Sequence, residues 1–298
     1  MIILFSIMII GFIAAKLKYM TPTLNANISR LLSFVTSPLQ IISSVIKPGS
    51  HPISNIDTLK LTGIAFAMYI ILAFIAMVIA KCMKAEKKQS NCYRYMFIFS
   101  NIGFMGYPVI DALFGEEYRF YATVFILMFN LFCWTYGITL MTGEKFRVNP
   151  VMLLRPIVLA AVFAYVLYFT KLGMRCPQIV YDVSKRVGDT TSTLAMLIVG
   201  CALAYLSPKE VFGNWRTYVF LIFKMILFPI AAWSILRLII TDRLVLGIIT
   251  IIVSMPIATN STIICYQFGG DEKLASSGVF LSTLLSVVTV PFLMNLLF

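Results

Sequence analysis

Apolar residues fill this chain in long unbroken blocks, without strand-like alternation. Nine uncharged stretches are delimited by their flanking charges: Met1–Ala15, Leu31–Ile46, Leu61–Ala80, Tyr95–Ile110, Phe120–Gly143, Pro156–Thr170, Thr190–Pro208, Leu244–Gly270 and Leu274–Phe298. A tenth, Thr217–Leu236, contains one charge, Lys224. A helix crosses the bilayer core with about 20 apolar residues, and short stretches extend when terminal lysines and arginines snorkel. Barrel strands would be about 10 residues long and alternating. The pattern predicts an all-α membrane protein of ten transmembrane helices joined by short loops. The first stretch lacks a positive start and meets its first charges, Lys16 and Lys18, only after the apolar run. It reads as a retained span, not a cleaved leader.

Composition agrees with this class. Of 298 residues, 60% are hydrophobic and 12% charged, where soluble domains carry roughly a quarter. A net charge of +12 would suggest nucleic acid in a soluble chain. Here the basic residues sit in gaps between apolar stretches, where they mark the cytoplasmic side. Odd-numbered loops hold 14 Lys and Arg, even-numbered loops 9. Both termini are therefore expected outside. The six cysteines show no framework spacing, and His51 is the sole histidine. No metal, cofactor or disulfide is expected. The expected partners are the lipid bilayer and a small solute, not nucleic acid; a homodimer is an assembly open to such a chain.

Ten stretches divide into five and five. Because each half has an odd number of crossings, the second would run inverted through the membrane. An offset of 155 pairs Lys16-Leu17 with Lys171-Leu172, Thr36-Ser37 with Thr191-Ser192, and Val124-Phe125 with Val279-Phe280. It also pairs Gly115-Glu116-Glu117 with Gly270-Asp271-Glu272. Identities are few, but they cluster at equivalent helix ends without a gap. The expected repeats are 1–149 and 150–298.

Two stretches carry helix-breaking residues at mid-span. The fourth reads Ser100-Asn101-Ile102-Gly103-Phe104-Met105-Gly106-Tyr107-Pro108 and the ninth Met255-Pro256-Ile257-Ala258-Thr259-Asn260-Ser261-Thr262. Proline removes a backbone hydrogen bond and clashes with the preceding turn. Backbone freed in hydrocarbon is tolerated only where protein or a polar cavity satisfies it. Either kink alone has a structural reading. Two interruptions at corresponding places, each with an asparagine, point to a transporter's binding site.

The segments SNIGFMGYPVIDALFGEE (100–117), FNLFCWTYG (129–137), TSTLAMLIVGCALA (191–204) and MPIATNSTIICYQFGGDEKLAS (255–276) resemble the auxin efflux carrier family. That family includes plant PIN proteins and bacterial malonate and organic-acid permeases, and the likeness spans the whole chain. The resemblance implies ten helices in two inverted repeats, with a scaffold domain beside a transport domain where helices four and nine cross. It places Asn101 and Pro108 at the family's crossover asparagine and proline. Asn130 falls where plant members carry a substrate-contacting glutamine, and Asp57 at their acidic position in helix three. Asn260-Ser261 stands where plant members have a second proline, and their large cytoplasmic loop shrinks here to Gly143–Asn149. Small carboxylates then fit better than auxin.

Among the remaining polar residues, Lys224 is an intramembrane charge, which costs about 2.5–3.5 kcal/mol or more at a helix centre. It reads as a fixed counter-charge to an anion or to the crossover; snorkelling is the bland alternative. Asp111 reads as a proton carrier or as a solvated helix end. Asp57 with Lys60 reads as a surface pair or as a relay. The sequence thus predicts a secondary carrier of a small organic anion in a bacterial cytoplasmic membrane, working by alternating access. Asn101, Gly103, Gly106, Pro108, Asn130, Pro256, Asn260, Ser261, Thr262 and Lys224 would form its substrate site. Asp57, Lys60 and Asp111 would support or couple it. A membrane-embedded hydrolase would need a histidine or a paired-carboxylate site within the bilayer, and none is present. A channel or a substrate-sensing receptor on the same fold is the remaining alternative.

Overall fold

The structure is a computed structural model that describes residues 2–46, 54–115, 118–143, 156–205, 207 and 212–297. His51, Glu116, Glu117 and most of the Gly143–Asn149 loop lie outside these residues. The described residues form fifteen α-helices: α1 (Ile2–Lys16), α2 (Pro22–Leu31), α3 (Ser37–Ser43), α4 (Asn55–Cys82), α5 (Lys87–Ile98), α6 (Tyr107–Phe114), α7 (Arg119–Phe132), α8 (Ile138–Thr142), α9 (Pro156–Phe169), α10 (Gln178–Ala204), α11 (Trp215–Ile222), α12 (Phe228–Leu236), α13 (Arg243–Ser254), α14 (Asn260–Gln267) and α15 (Glu272–Leu297). Five continuous helical segments are long and apolar enough to cross a membrane: 56–82, 119–142, 178–204, 215–236 and 272–297. α9, α13 and most of α1 are shorter apolar helices.

Among the described residues, three π-helical turns join pairs of helices without ending them, Leu32–Thr36, Cys133–Gly137 and Phe223–Leu227, and a fourth, Ile102–Gly106, leads directly into α6. Three are followed by a proline at the second position of the next helix, namely Pro38, Pro108 and Pro229. A proline ring collides with the carbonyl four residues earlier. A wider turn holds one extra residue and moves that carbonyl aside. Pro108 therefore does not break its helix, contrary to the sequence expectation. The break lies upstream, at Phe99–Asn101, between α5 and the π turn.

Helix ends also depart from the apolar boundaries. α10 begins at Gln178, twelve residues before its apolar stretch, so Lys185 and Arg186 lie on a helix instead of in the sixth loop. α2 begins at Pro22, with the Thr21 hydroxyl accepting from the Leu24 N–H at 3.2 Å. Helix propensity and capping set these ends, while hydropathy marks only the part suited to lipid.

The helices pack in two groups. α1, the α2–α3 unit, α9 and α10 pack mainly on one another, and the remainder, α4–α8 with α11–α15, forms the second group. Glycines allow the closest approaches within the first group. A Cβ on Gly200 of α10 would stand 1.9 Å from the Met8 carbonyl oxygen of α1. One on Gly188 would stand 2.6 Å from Cα of Gln40.

Candidate functional site

The second helix group contains two interrupted apolar segments, and their interruptions meet. α5 ends at Ile98 and α13 at Ser254. Between these helices and the elements that follow them, the two chains run past each other as an antiparallel bridge, Ser100 opposite Ile257. The Asn101 N–H donates to the Pro256 carbonyl at 2.7 Å, and the Ala258 N–H donates to the Phe99 carbonyl at 2.9 Å. The Ile257 N–H donates to the Ser282 hydroxyl at 3.1 Å. Each break thus satisfies part of the other's exposed backbone, as apolar surroundings require. Pro256 suits its place because its contribution to the crossing is a carbonyl.

Lys224 completes the crossing. It lies in the π turn between α11 and α12, is 1% exposed, and donates to the Phe97 carbonyl at 3.1 Å and the Ser100 hydroxyl at 2.9 Å. The last carbonyls of an α-helix have no intrahelical partner and carry the negative end of its dipole. Here a lysine meets one of them at the end of α5, beside the break. Its nitrogen also lies 5.6 Å from the Phe97 ring centroid. Tyr69 of α4 joins Lys224, Phe97, Ile98, Ile252 and Val253 around a crevice too narrow to hold a water molecule.

The other expected residues divide by position. Asn101 and Pro256 are buried at the bridge, and Ser261 is buried in the first turn of α14 beside half-buried Asn260 and Thr262. The Asn260 side-chain oxygen Oδ1 and the Ser261 hydroxyl have no protein hydrogen-bond partner among the described residues. The Asn260 amide nitrogen lies 3.7 Å from Cys133 Sγ, and Ser276 donates to the Thr262 hydroxyl at 3.4 Å. Gly103 and Gly106 lie in the π turn after the bridge. A Cβ on Gly103 would come no closer than 4.0 Å to Ile126 of α7. Asn130, one turn along α7 from Ile126, directs its amide to the Ile126 carbonyl at 2.9 Å.

Three expected residues stand apart from the crossing. Asp57 occupies the first turn of α4, where its N–H donates to the Ser54 hydroxyl at 3.1 Å and its carboxylate pairs with Lys60 at 3.3 Å, both side chains exposed. Asp111, near the end of α6, is held by Arg119 of α7 through two guanidinium nitrogens. The pairing leaves Asp111 neither a solvated helix end nor an isolated acid.

Some contributors carried no sequence signal. Phe97 acts through its carbonyl, so its side chain announces nothing. Ser282 lies mid-way along α15, far from either break in sequence. Arg119 was visible only as a loop charge. Ser100 stood beside Asn101 in a recognised interruption and could have been found.

The family whose model matches this chain is described as "Membrane transport protein", and it matches twice, at residues 1–152 and 146–294. An uncharacterized transporter of Methanocaldococcus jannaschii is 23% identical over 271 residues, covering 88% of this chain and 86% of that protein. These matches run through the interrupted segments, the π turns and the lysine between them, and the chain belongs to the membrane transport protein family, the auxin efflux carrier family of transporters.

Proposed function

We propose that the chain is a secondary carrier for a small organic anion, such as a mono- or dicarboxylate, and works by alternating access in a bacterial cytoplasmic membrane. The observation that carries this reading is the crossing of two interrupted apolar segments beside a buried lysine. A first-turn helix amide has no intrahelical acceptor and sits at the positive end of the dipole, which suits a carboxylate. α14 starts at the crossing, and the Asn260 side-chain oxygen Oδ1 and Ser261 hydroxyl in its first turn could receive hydroxyl or amide groups of the same ligand. Asn101, Gly103, Gly106, Pro108, Asn130, Pro256 and Thr262 complete the proposed site. Lys224 compensates charge by binding the crossover, and Asp111 supports the helix pair through Arg119.

In this reading the ten passages form two inverted halves, 1–149 and 150–298, with both termini outside. Helix starts support it. Shifting Pro22, Lys87 and Arg119 by 155 reaches positions 177, 242 and 274, beside the observed starts Gln178, Arg243 and Glu272. The first helix group would be the scaffold and the second the moving transport domain. Counterflow in proteoliposomes against a panel of carboxylates tests the function. A carrier shows saturable uptake accelerated by internal substrate. A channel gives flux without counterflow, and a receptor binds without flux; either result sinks the proposal.

A further inference from the structure

A polar cluster joins the two helix groups at one end of the molecule. Ser44 caps α3 and Asp189 lies on α10, both in the first group; Tyr107, Asp111, Arg119 and Thr123 belong to the second. Within the second group, Arg119 Nε donates to Asp111 Oδ1 at 3.0 Å, and another guanidinium nitrogen donates to Asp111 Oδ2. The guanidinium also lies 5.8 Å from the Tyr107 ring centroid. Across the groups, Arg119 Nη1 stands 3.6 Å from Asp189 Oδ1, and the Thr123 hydroxyl donates to Ser44 at 2.8 Å. The Tyr107 hydroxyl lies 2.7 Å from the Thr123 oxygen.

We propose that the Arg119–Asp189 pair, with Thr123 and Ser44 beside it, is a gate that closes this end of the path between the groups and parts when they separate. The proposal rests on the alternating-access reading above. Its basis is an asymmetry. The pairing inside the second group is bidentate and shielded, with Arg119 side-chain exposure of 13%. The pairing across the groups is through one nitrogen, to a carboxylate 44% exposed. Shielded bidentate pairs hold geometry; exposed single contacts are weak and separable. Both partners also keep a second contact on parting. Arg119 retains Asp111, and Asp189 retains Lys185, whose Nζ lies 2.8 Å from its other oxygen. Opening therefore strands no buried charge, which would otherwise make it prohibitive. The Phe120–Tyr168 ring stack, at 3.7 Å between centroids, is an apolar contact between α7 and α9 across the same boundary.

The test uses the full chain in lipid nanodiscs, with Cys82 and Cys176 replaced by serine and spin labels at Leu113 on α6 and Ile179 on α10, both exposed. Pulsed electron resonance then reads the distance between the groups directly. Asp189→Asn should raise the population of a longer distance by about threefold, the scale of an exposed ion pair. Asp189→Glu, which keeps the charge, and Asp182→Asn, which removes a carboxylate elsewhere on α10, should both match the parent. An unchanged distribution in Asp189→Asn overturns the gate, and so does an equal shift in all three variants. These distances need no substrate, so a failed gate is distinguishable from a failed transport assignment, which counterflow decides.

Discussion

The N–H of Asn101 reaches the carbonyl of Pro256 at 2.7 Å, and the two residues stand 155 positions apart, the offset at which the sequence matches cluster. In the proposed inverted repeat these would be equivalent positions, and such positions can touch only where a twofold relation between the halves would pass. Tyr69 and Lys224, also 155 apart, line the same crevice. One of these positions carries a hydroxyl and the other an amine, so the chemistry around the crossing is one-sided even where its geometry is paired.

Replacing that amine is the most direct test of the crossing. Lys224→Met keeps the stem and removes two hydrogen bonds, to Phe97 and Ser100. The folded protein should survive size-exclusion chromatography, while carboxylate counterflow falls by about tenfold or more, equivalent to about 1.4 kcal/mol. Lys224→Arg should recover only part, because a planar guanidinium does not fit the place of a buried ammonium. Counterflow of folded Lys224→Met near the parent level would show that the lysine is dispensable.

The amides near the crossing should act on affinity. Asn101 contributes its backbone to the bridge, so Asn101→Ala leaves those hydrogen bonds in place. If the side chains of Asn101 and Asn260 meet substrate, either alanine variant should weaken binding by about 1–3 kcal/mol with little change in yield. Isothermal titration with the carboxylate that supports counterflow measures this. Unaltered affinity in both variants would move the site away from the crossing.

Close packing in the first helix group predicts a stability effect. Gly200→Ala places a methyl 1.9 Å from the Met8 carbonyl oxygen, which is backbone and cannot step aside alone. Thermal unfolding should show a loss of about 1–3 kcal/mol, the usual cost of overpacking. Gly63→Ala, with nothing within 4 Å, should be neutral. Equal melting of both variants would mean that α1 can slide on α10.

The proposed orientation rests on the charge of the loops. Lys87 begins α5 and Gln178 begins α10, both exposed. Single cysteines at these positions should react with an impermeant maleimide from opposite sides, position 178 from outside intact cells. Reaction of both from one side would reject the proposed topology.

Much of the crossing was legible in the residues. Pro256, Asn101 and Asn260 stood out because two interruptions fall at corresponding places and each carries an amide, and Lys224 because charge is costly at mid-span. What remained hidden has physical reasons. Pro108 was read as a break because proline cannot donate, yet a π turn absorbs its ring and leaves the helix continuous. The pairing of Arg119 with Asp111 depends on how α7 packs against α6, and its pairing with Asp189 on how the two helix groups meet, which no local pattern encodes. The early start of α10 was missed because hydropathy reports the lipid boundary, not the last helical residue.

The bridge between Asn101 and Pro256 also sets an order of events during synthesis. At about 5–20 residues per second, a ribosome needs on the order of ten seconds or more to travel from one residue to the other. Through that interval the break in the fourth segment is incomplete, because the carbonyl and N–H that answer it do not yet exist. α1 waits longer still for Gly200. The fourth segment is thus made before the residues that complete it. Its quality control must tolerate exposed peptide groups until the ninth segment arrives, and a nascent chain stalled before Pro256 should be recognised as incomplete and degraded.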